Sequence, residues 1–164
     1  MSKIRVVVVT VLLLIAHLAI LPAAAQDGAL PAQDDLDILL SALRANRKAM
    51  VAVNMQLTED EAAKFWPVYD RYQKEINGAG DRLAALIEEY AESFGSMSNE
   101  KAMKIVDDYL TIEADRLKIR RTYVEQFAKA LPGTKVARFY QLENKMDAEI
   151  DAELAVFIPL MEAG

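Results

Sequence analysis

The sequence predicts an all-α protein, a four-helix bundle of antiparallel hairpins with long helices. Three observations predict it. From Asp34 onward apolar residues recur at intervals of three and four, and no segment alternates as a half-buried strand would. Two segments begin with residues that cap helices. The connections between periodic segments are short, so helices that follow one another should be antiparallel neighbours.

The N-terminal residues predict a secretory signal peptide. Lys3 and Arg5 precede an apolar run from Val6 to Leu21, and small residues follow at the positions that a signal peptidase reads. Cleavage after Ala25 is therefore expected, with export to the periplasm. No cysteine follows the small residues, so nothing indicates a lipid-modified N-terminus.

This leader divides the chain into three parts. Residues 1–25 form the signal peptide, 26–33 a flexible linker, and 34–164 a single helical domain. An uncleaved membrane anchor is the alternative. At about 1.5 Å per residue, however, the apolar run covers only about 24 Å, less than the roughly 30 Å of a hydrocarbon core.

Composition excludes several classes of function. Loss of the two leader cations changes the net charge from −6 to −8, which argues against nucleic acid and anionic membrane surfaces as partners. The chain has no cysteine, and its one histidine, His17, lies in the leader. A histidine-based triad, a thiol nucleophile and the usual zinc site are therefore excluded from the mature chain. We expect no enzyme and no cofactor, although carboxylate acid-base chemistry stays open.

A first helix is predicted from Asp34 to about Asn54. Three acids near its start suit the positive end of a helix dipole. Its apolar positions are Leu36, Leu39, Leu40, Leu43, Met50 and Val53.

A second helix begins at Thr58, where Glu61 completes a capping box. Its apolar residues alternate in spacing between four and three, which is a heptad seam. Packing along this seam must offset the cost of Gly78 and Gly80, about 1 kcal/mol each. The seam consists of Phe65, Tyr69, Tyr72, Ile76, Ala79, Leu83, Leu86 and Tyr90.

Pro67 follows the chain's only tryptophan inside this segment. Proline removes one helical hydrogen bond and crowds the preceding turn, so a continuing helix bends there. A bent helix would give a curved surface. The alternatives are that Pro67 ends one helix and starts another, or fits a corner of the core.

Ser98 is predicted to cap a third helix. Its wide apolar face must touch two neighbours. Antiparallel pairing with the second helix predicts three contacts, Leu83–Leu110, Tyr90–Met103 and Ile76–Leu117. One stripe, the predicted seam, runs Met103, Val106, Leu110, Glu113, Leu117, Arg120, Val124, Phe127 and Leu131, and a second runs Ala102, Ile105, Tyr109, Ile112, Ile119 and Tyr123.

Pro132 and Gly133 make the turn to a fourth helix, which Pro159 ends. Antiparallel pairing of the last two helices puts Phe127 near Phe139. It also predicts an ion pair between Arg120 and Glu143 that fixes the register. The apolar face of the fourth helix is Val136, Phe139, Met146, Ile150, Leu154 and Phe157.

Three groups of side chains are candidates for a functional surface. The aromatic band Phe65, Trp66, Tyr69 and Tyr72 could bind apolar client segments. An aromatic stripe at helical spacing is more often part of the core. Trp66 lies off the seam, so it should face outward or toward a second subunit. The basic cluster Arg116, Lys118, Arg120 and Arg121 could steer acidic clients or make ordinary helix pairs. The acids Asp147, Glu149, Asp151 and Glu153 lack a calcium-binding loop, so we expect a solvated face.

The starts of the second and fourth helices are similar. Leu57-Thr58, with Ala63, Lys64, Phe65 and Trp66, is matched 74 positions later by Leu131-Pro132, with Ala137, Arg138, Phe139 and Tyr140. The chain resembles the Spy/CpxP family of small periplasmic helical proteins, whose hallmark is two copies of Leu-Thr-x-x-Gln at helix starts. Glu61 stands in place of the glutamine, and Pro132 in place of the second threonine.

The resemblance implies an ATP-independent stress chaperone, a homodimer that holds unfolded or partly folded proteins, with no nucleic acid and no membrane as partner after leader cleavage. The candidate client surface is Trp66, Tyr69, Tyr72, Arg116 and Arg121. The candidate structural residues are Thr58, Glu61, Pro67, Arg120 and Glu143. Some relatives bind zinc through histidines, which the mature chain lacks. Two alternatives stay open: a periplasmic accessory regulator that docks on a membrane sensor, and a structural helical module without clients.

Overall fold

The fold comes from a computed structural model that describes residues 33–161, without the side chains of 33–40, 43–45, 156 and 157. It contains four α-helices and, between the second and third, a short 3₁₀ turn at Phe94–Ser96: α1 Gln33–Met55, α2 Glu59–Ser93, α3 Asn99–Ala130 and α4 Gly133–Phe157. The part described has no strand, so the all-α prediction is confirmed.

Several predictions fall outside these residues. The leader, its cleavage site, the rest of the linker before Gln33 and the packing of the leucines at 36, 39, 40 and 43 all lie there. Within 33–161, each helix is too short or too polar to cross a membrane.

α2 begins with the predicted capping box. The Glu61 amide donates to Thr58 Oγ1 over 3.3 Å, and the Thr58 amide donates to Glu61 Oε2 over 2.8 Å. A cap of this kind typically contributes about 1 kcal/mol. α2 then continues past Pro67 to Ser93 as one helix, so the alternative in which Pro67 separates two helices is wrong.

The hairpin of α2 and α3 is the main packing unit of the fold. Ser98 caps α3 as predicted, because its hydroxyl accepts a hydrogen bond from the Lys101 amide over 3.2 Å. The heptad seam of α2 is confirmed, with Leu83 and Tyr90 partly buried and its other members buried: Phe65, Tyr69, Tyr72, Ile76, Ala79 and Leu86.

The predicted seam of α3 is wrong over most of its length. The second stripe supplies the buried contacts, through Ile112 and Tyr123. The three predicted contacts with α2 are therefore wrong, because Met103, Leu110 and Leu117 are exposed. Two apolar stripes lie side by side on this helix, and the spacing of residues cannot tell which one faces α2.

α1 packs on α4. It buries Val51 and Met55, whereas Met50 and Val53, which were predicted to lie on its apolar face, are 48% and 77% exposed. Residues four apart lie on one helix face, so the contact row continues backward to position 47. That position is Arg47, whose side chain is only 8% exposed.

A cluster of aromatic rings joins α2, α3 and α4. Phe127 and Phe139 were predicted to be close, and their ring centroids lie 4.5 Å apart. Phe65 lies 5.4 Å from each of them, and Tyr72, two turns further along α2, contacts both. Edge-to-face and tilted ring pairs each add about 0.5–1.5 kcal/mol beyond the burial of area.

Candidate functional site

The predicted aromatic client surface is mostly core. Tyr69 and Tyr72 are 1% and 0% exposed, so neither can bind a client in the folded protein, and both assignments are corrected. Trp66 is half-buried against the core, in edge contact with Phe65 at 5.1 Å. Its ring also lies 5.4 Å from Lys48 Nζ of α1, a cation–π contact. Packing against the core and the contact with Lys48 of α1 thus account for this tryptophan.

Beside the aromatic rings, α1, α3 and α4 share a buried charged cluster. Arg47 donates to Glu143 through Nε over 3.2 Å and through Nη2 over 3.0 Å. Its Nη2 also donates to Asp147 Oδ1 over 2.5 Å. Glu143 is 1% exposed and Asp147 6%. Arg47 therefore neutralises carboxylates that would be costly to bury alone.

Arg120 does not pair with Glu143 as predicted. It pairs with Asp147, one turn further along α4, because Arg47 from α1 already occupies the Glu143 carboxylate. The prediction that Asp147 belongs to a solvated face is wrong for the same reason, whereas Glu149, Asp151 and Glu153 are exposed. Nothing in a heptad pattern indicates that a third helix supplies the cation for this pair.

Two tyrosine hydroxyls extend the charged cluster. Tyr72 donates to Glu143 Oε2 over 3.0 Å, and Tyr140 donates to the Arg120 carbonyl over 2.6 Å. Burial raises the pKa of Tyr72 far above its usual range, and the Glu143 charge adds to the increase. Burial, followed by the Glu143 charge, raises the pKa of Tyr140 to about 12.

These tyrosines predict a loss of stability in alkali. A phenol whose pKa is raised by folding stabilises the fold fully below its unfolded pKa, near 10, and this contribution is lost as pH rises toward the folded value. We expect the free energy of unfolding to fall steeply above about pH 10. The measurement is urea unfolding across that range, followed by circular dichroism.

Tyr72→Phe should flatten this slope, since the substitution removes the most strongly shifted phenol. Tyr109→Phe is the matched control, because Tyr109 is 46% exposed. If both variants kept the wild-type slope, ionisation of Tyr72 would not be linked to unfolding.

A cavity of about 340 Å³ opens between α3 and α4 at the exposed edge of the charged cluster. Arg116 and Arg120 line it together with Asp147 and Asp151, so charges of both signs face the space. Arg116 is mostly covered, and its guanidinium donates to Glu113 over 2.7 Å. In the described part of the chain, His, Cys, Asp and Glu side chains form no group of three or more that could hold a metal ion.

The outward face of α3 is the largest feature that the sequence interpretation misplaced. Five large apolar side chains, spaced three, four or seven residues apart, are between 42% and 67% exposed. The helix beneath them is fixed by α2 and the aromatic core, so the surface is preorganised. We define the α3 stripe as Met103, Val106, Leu110, Leu117 and Val124.

Of the predicted basic cluster, Lys118 and Arg121 are exposed on α3. Arg121 lies beside the α3 stripe, because it is four residues after Leu117 and three before Val124. Arg116 and Arg120 instead point toward α4. The structure thus divides the cluster into one pair that holds the bundle together and one that faces solvent.

The two similar helix starts meet in space. The Phe65 and Phe139 ring centroids lie 5.4 Å apart, and Lys135, at the position in α4 that corresponds to Glu61, pairs with that glutamate. Both members of the Leu57 and Leu131 pair contact the core. The repeat therefore has a packing role at the end of the bundle.

No family model, curated protein or solved structure matches the chain.

Proposed function

We propose that this protein is a non-enzymatic, exported binding protein that holds unfolded or partly folded proteins in the periplasm without nucleotide. In this it would act as the stress chaperones of the Spy/CpxP type do, which the two helix starts and the leader resemble. The α3 stripe, rather than the aromatic band, would be the binding surface.

One observation carries the proposal, the exposure of the α3 stripe. A row of exposed apolar side chains on one face of a packed helix is a feature of binding sites, because exposed side chains of this size gain free energy when another apolar surface covers them. Met103 adds a flexible side chain that adapts to varied partners. A chaperone needs such a surface and no reactive side chain.

The charge beside the stripe supports a preference among clients. Arg121 and Lys118 are exposed near its C-terminal end, where they would attract segments that carry acids among apolar residues. Arg116, committed to Glu113 and Asp147, would contribute less. The expected client is therefore an apolar segment with flanking acidic residues.

Suppression of aggregation tests the proposal. Wild-type protein at equimolar ratio should lower the light scattering of a chemically denatured client in the absence of ATP. The double variant Leu110→Glu/Leu117→Glu should lose most of this effect, because two charges interrupt the middle of the stripe.

Thr111→Glu/Thr122→Glu is the matched control, with the same added charge at two exposed positions of α3 outside the stripe. Helicity of both variants is checked by circular dichroism. Equal suppression by the two double variants would reject the stripe as the client surface. Unchanged scattering with wild-type protein would reject the chaperone function.

A second candidate function uses the same surface. Heptad-like spacing of exposed apolar residues is suited to one partner helix, which favours an accessory regulator that docks on a membrane sensor. Affinity capture from periplasmic extract separates the two: many proteins in substoichiometric amounts support a chaperone, and one dominant membrane sensor supports a regulator. A structural module without clients would capture neither.

A further inference from the structure

A groove of about 660 Å³ lies on the surface between α1 and α2. Its volume is within the range of about 300–1,000 Å³ that is typical of small-molecule sites. The residues that line it all belong to these two helices, so it is separate from the α3 stripe. We call it the α2 groove and define it by Lys48 of α1 and by Asp70, Gln73, Lys74, Asn77 and Gly78 of α2.

The charges around the α2 groove are balanced. Lys48 and Lys74 contribute two positive charges, and Asp70 and Asp81 contribute two negative ones. Lys48 and Asp70 also pair with each other at 2.6 Å. A charged ligand would meet repulsion as well as attraction here, so the groove favours an uncharged ligand that forms hydrogen bonds.

Two carboxamide side chains lie beside each other in the α2 groove. Gln73 and Asn77 are four residues apart, so they share one face of α2, and both are half-buried. Gln73 Nε2 is buried and has no hydrogen-bond partner in the part of the chain that the structure describes. Buried donors are nearly always paired, so this one is suited to a ligand that supplies an acceptor.

Aromatic rings adjoin one end of the α2 groove. Tyr69 lines this end, and its ring meets that of Trp66 edge to face, with the centroids 5.3 Å apart. Trp66 keeps part of its surface exposed, and Lys48 Nζ lies 5.4 Å from the centroid of its ring. The groove therefore combines hydrogen-bonding side chains with an apolar surface beside them.

We propose that the α2 groove binds a neutral saccharide. A hydroxyl group is both a donor and an acceptor, and a carboxamide offers a donor nitrogen and an acceptor oxygen in one plane. Neighbouring hydroxyls of one sugar ring therefore match Gln73 and Asn77. The C–H groups of the same ring pack on the electron-rich face of an aromatic side chain, which Trp66 supplies. This site goes beyond the client binding proposed above and does not depend on it.

An uncharged peptide is the competing ligand for this groove. An extended peptide is bound best by the free edge of a β-sheet, where main-chain groups pair with its donors and acceptors. The α2 groove is lined by helices, whose main-chain groups already bond within the helix. Only side chains are left to recognise the ligand, and carboxamides match the hydroxyl pairs of a saccharide better than the two edges of a peptide.

Nuclear magnetic resonance of the isotopically labelled protein tests the proposal. The probes are glucose and maltose, with glucuronate and glucosamine as charged counterparts of the same ring and N-acetyl-trialanine amide as the uncharged peptide. We expect the neutral sugars to shift the side-chain amide signals of Gln73 and Asn77 and the indole signal of Trp66 in a saturable way. The two charged sugars should bind more weakly.

Gly78→Leu should abolish these shifts by filling the groove. Apart from its own helix, no described atom lies within 4 Å of the place that a Cβ would take at Gly78, and leucine favours a helix more than glycine does. The variant should therefore fold normally, which circular dichroism checks. Ala63→Leu is the matched control, because it adds the same side chain at an exposed position of α2 outside the groove. Asn77→Ala should raise the dissociation constant about tenfold, since it removes one hydrogen-bonding side chain.

The proposal is overturned if the neutral sugars leave the signals of Gln73 and Asn77 unchanged up to their limit of solubility, or if Gly78→Leu binds them as the wild type does. Shifts caused by the peptide alone would assign the groove to a peptide instead. Leu110→Glu/Leu117→Glu should keep the saccharide shifts, because these substitutions lie on α3. Loss of client binding and loss of saccharide binding are therefore distinguishable.

Discussion

Arg47→Ala should lower the free energy of unfolding by about 3–5 kcal/mol, the cost typical of removing one partner from a buried ion pair. The substitution leaves Glu143 and Asp147, 1% and 6% exposed, without the guanidinium that lies between them. Arg120 still reaches Asp147, whereas Glu143 keeps only the Tyr72 hydroxyl among the neighbouring side chains described. Urea unfolding followed by circular dichroism gives the value.

Lys48→Ala is the matched control, since it removes the next cation of α1. Lys48 pairs with Asp70 at 2.6 Å, but both side chains are more than half exposed. Exposed pairs of this kind contribute about 0–1 kcal/mol, and the cation–π contact of Lys48 with Trp66 adds about 0.5–1 kcal/mol. If Arg47→Ala lost no more free energy of unfolding than Lys48→Ala, the charged cluster would not be buried as described.

A double variant separates the cost of an unpaired charge from the worth of the pair. Arg47→Met/Glu143→Leu removes both charges and keeps much of the volume, so it should recover most of the stability lost in Arg47→Ala. Buried ion pairs replaced by apolar residues often behave in this way. If the double variant is as unstable as Arg47→Ala, the loss does not come from the unpaired Glu143 charge, and the pair itself contributes net stability relative to apolar side chains.

The sequence is sufficient where local chemistry decides the structure. Thr58 and Glu61 lie within one turn, and the heptad seam of α2 has no competing stripe, so both are predicted correctly. Phe127 and Phe139 follow from the short Pro132–Gly133 turn, because a short connection fixes which residues of two antiparallel helices face one another. In each case the deciding interaction is close in sequence or set by one turn.

Prediction from the sequence fails where the structure is determined by contacts between residues that are far apart in the chain. α3 offers two apolar stripes, and the choice between them depends on how α4 and α2 share the aromatic core. Arg47 reaches across 96 positions to Glu143, which heptad spacing within one helix cannot predict. A signal does exist: Arg47, Val51 and Met55 are spaced by four, as are Glu143 and Asp147. A row of residues spaced by four on each of two helices is what an ion pair inside the interface between those helices requires.

Phe139→Ala should destabilise the fold by about 3–5 kcal/mol, the range typical of removing a buried aromatic side chain. Phe139 is 0% exposed and its ring contacts those of Phe65 and Phe127, so the substitution leaves a cavity where three helices meet. Phe139→Leu should cost less, because leucine keeps much of the lost volume.

The orientation of α3 is tested by comparing the loss of stability in Leu117→Ala with that in Phe139→Ala. Leu117 is 57% exposed, and a truncation there should change stability by no more than about 0.5 kcal/mol when protein is dilute enough for any self-association to be negligible. If Leu117 instead faced α2 as a seam residue, its loss would approach that of Phe139. Equal losses would therefore mean that the α3 stripe faces the core, and the proposed client surface would not exist.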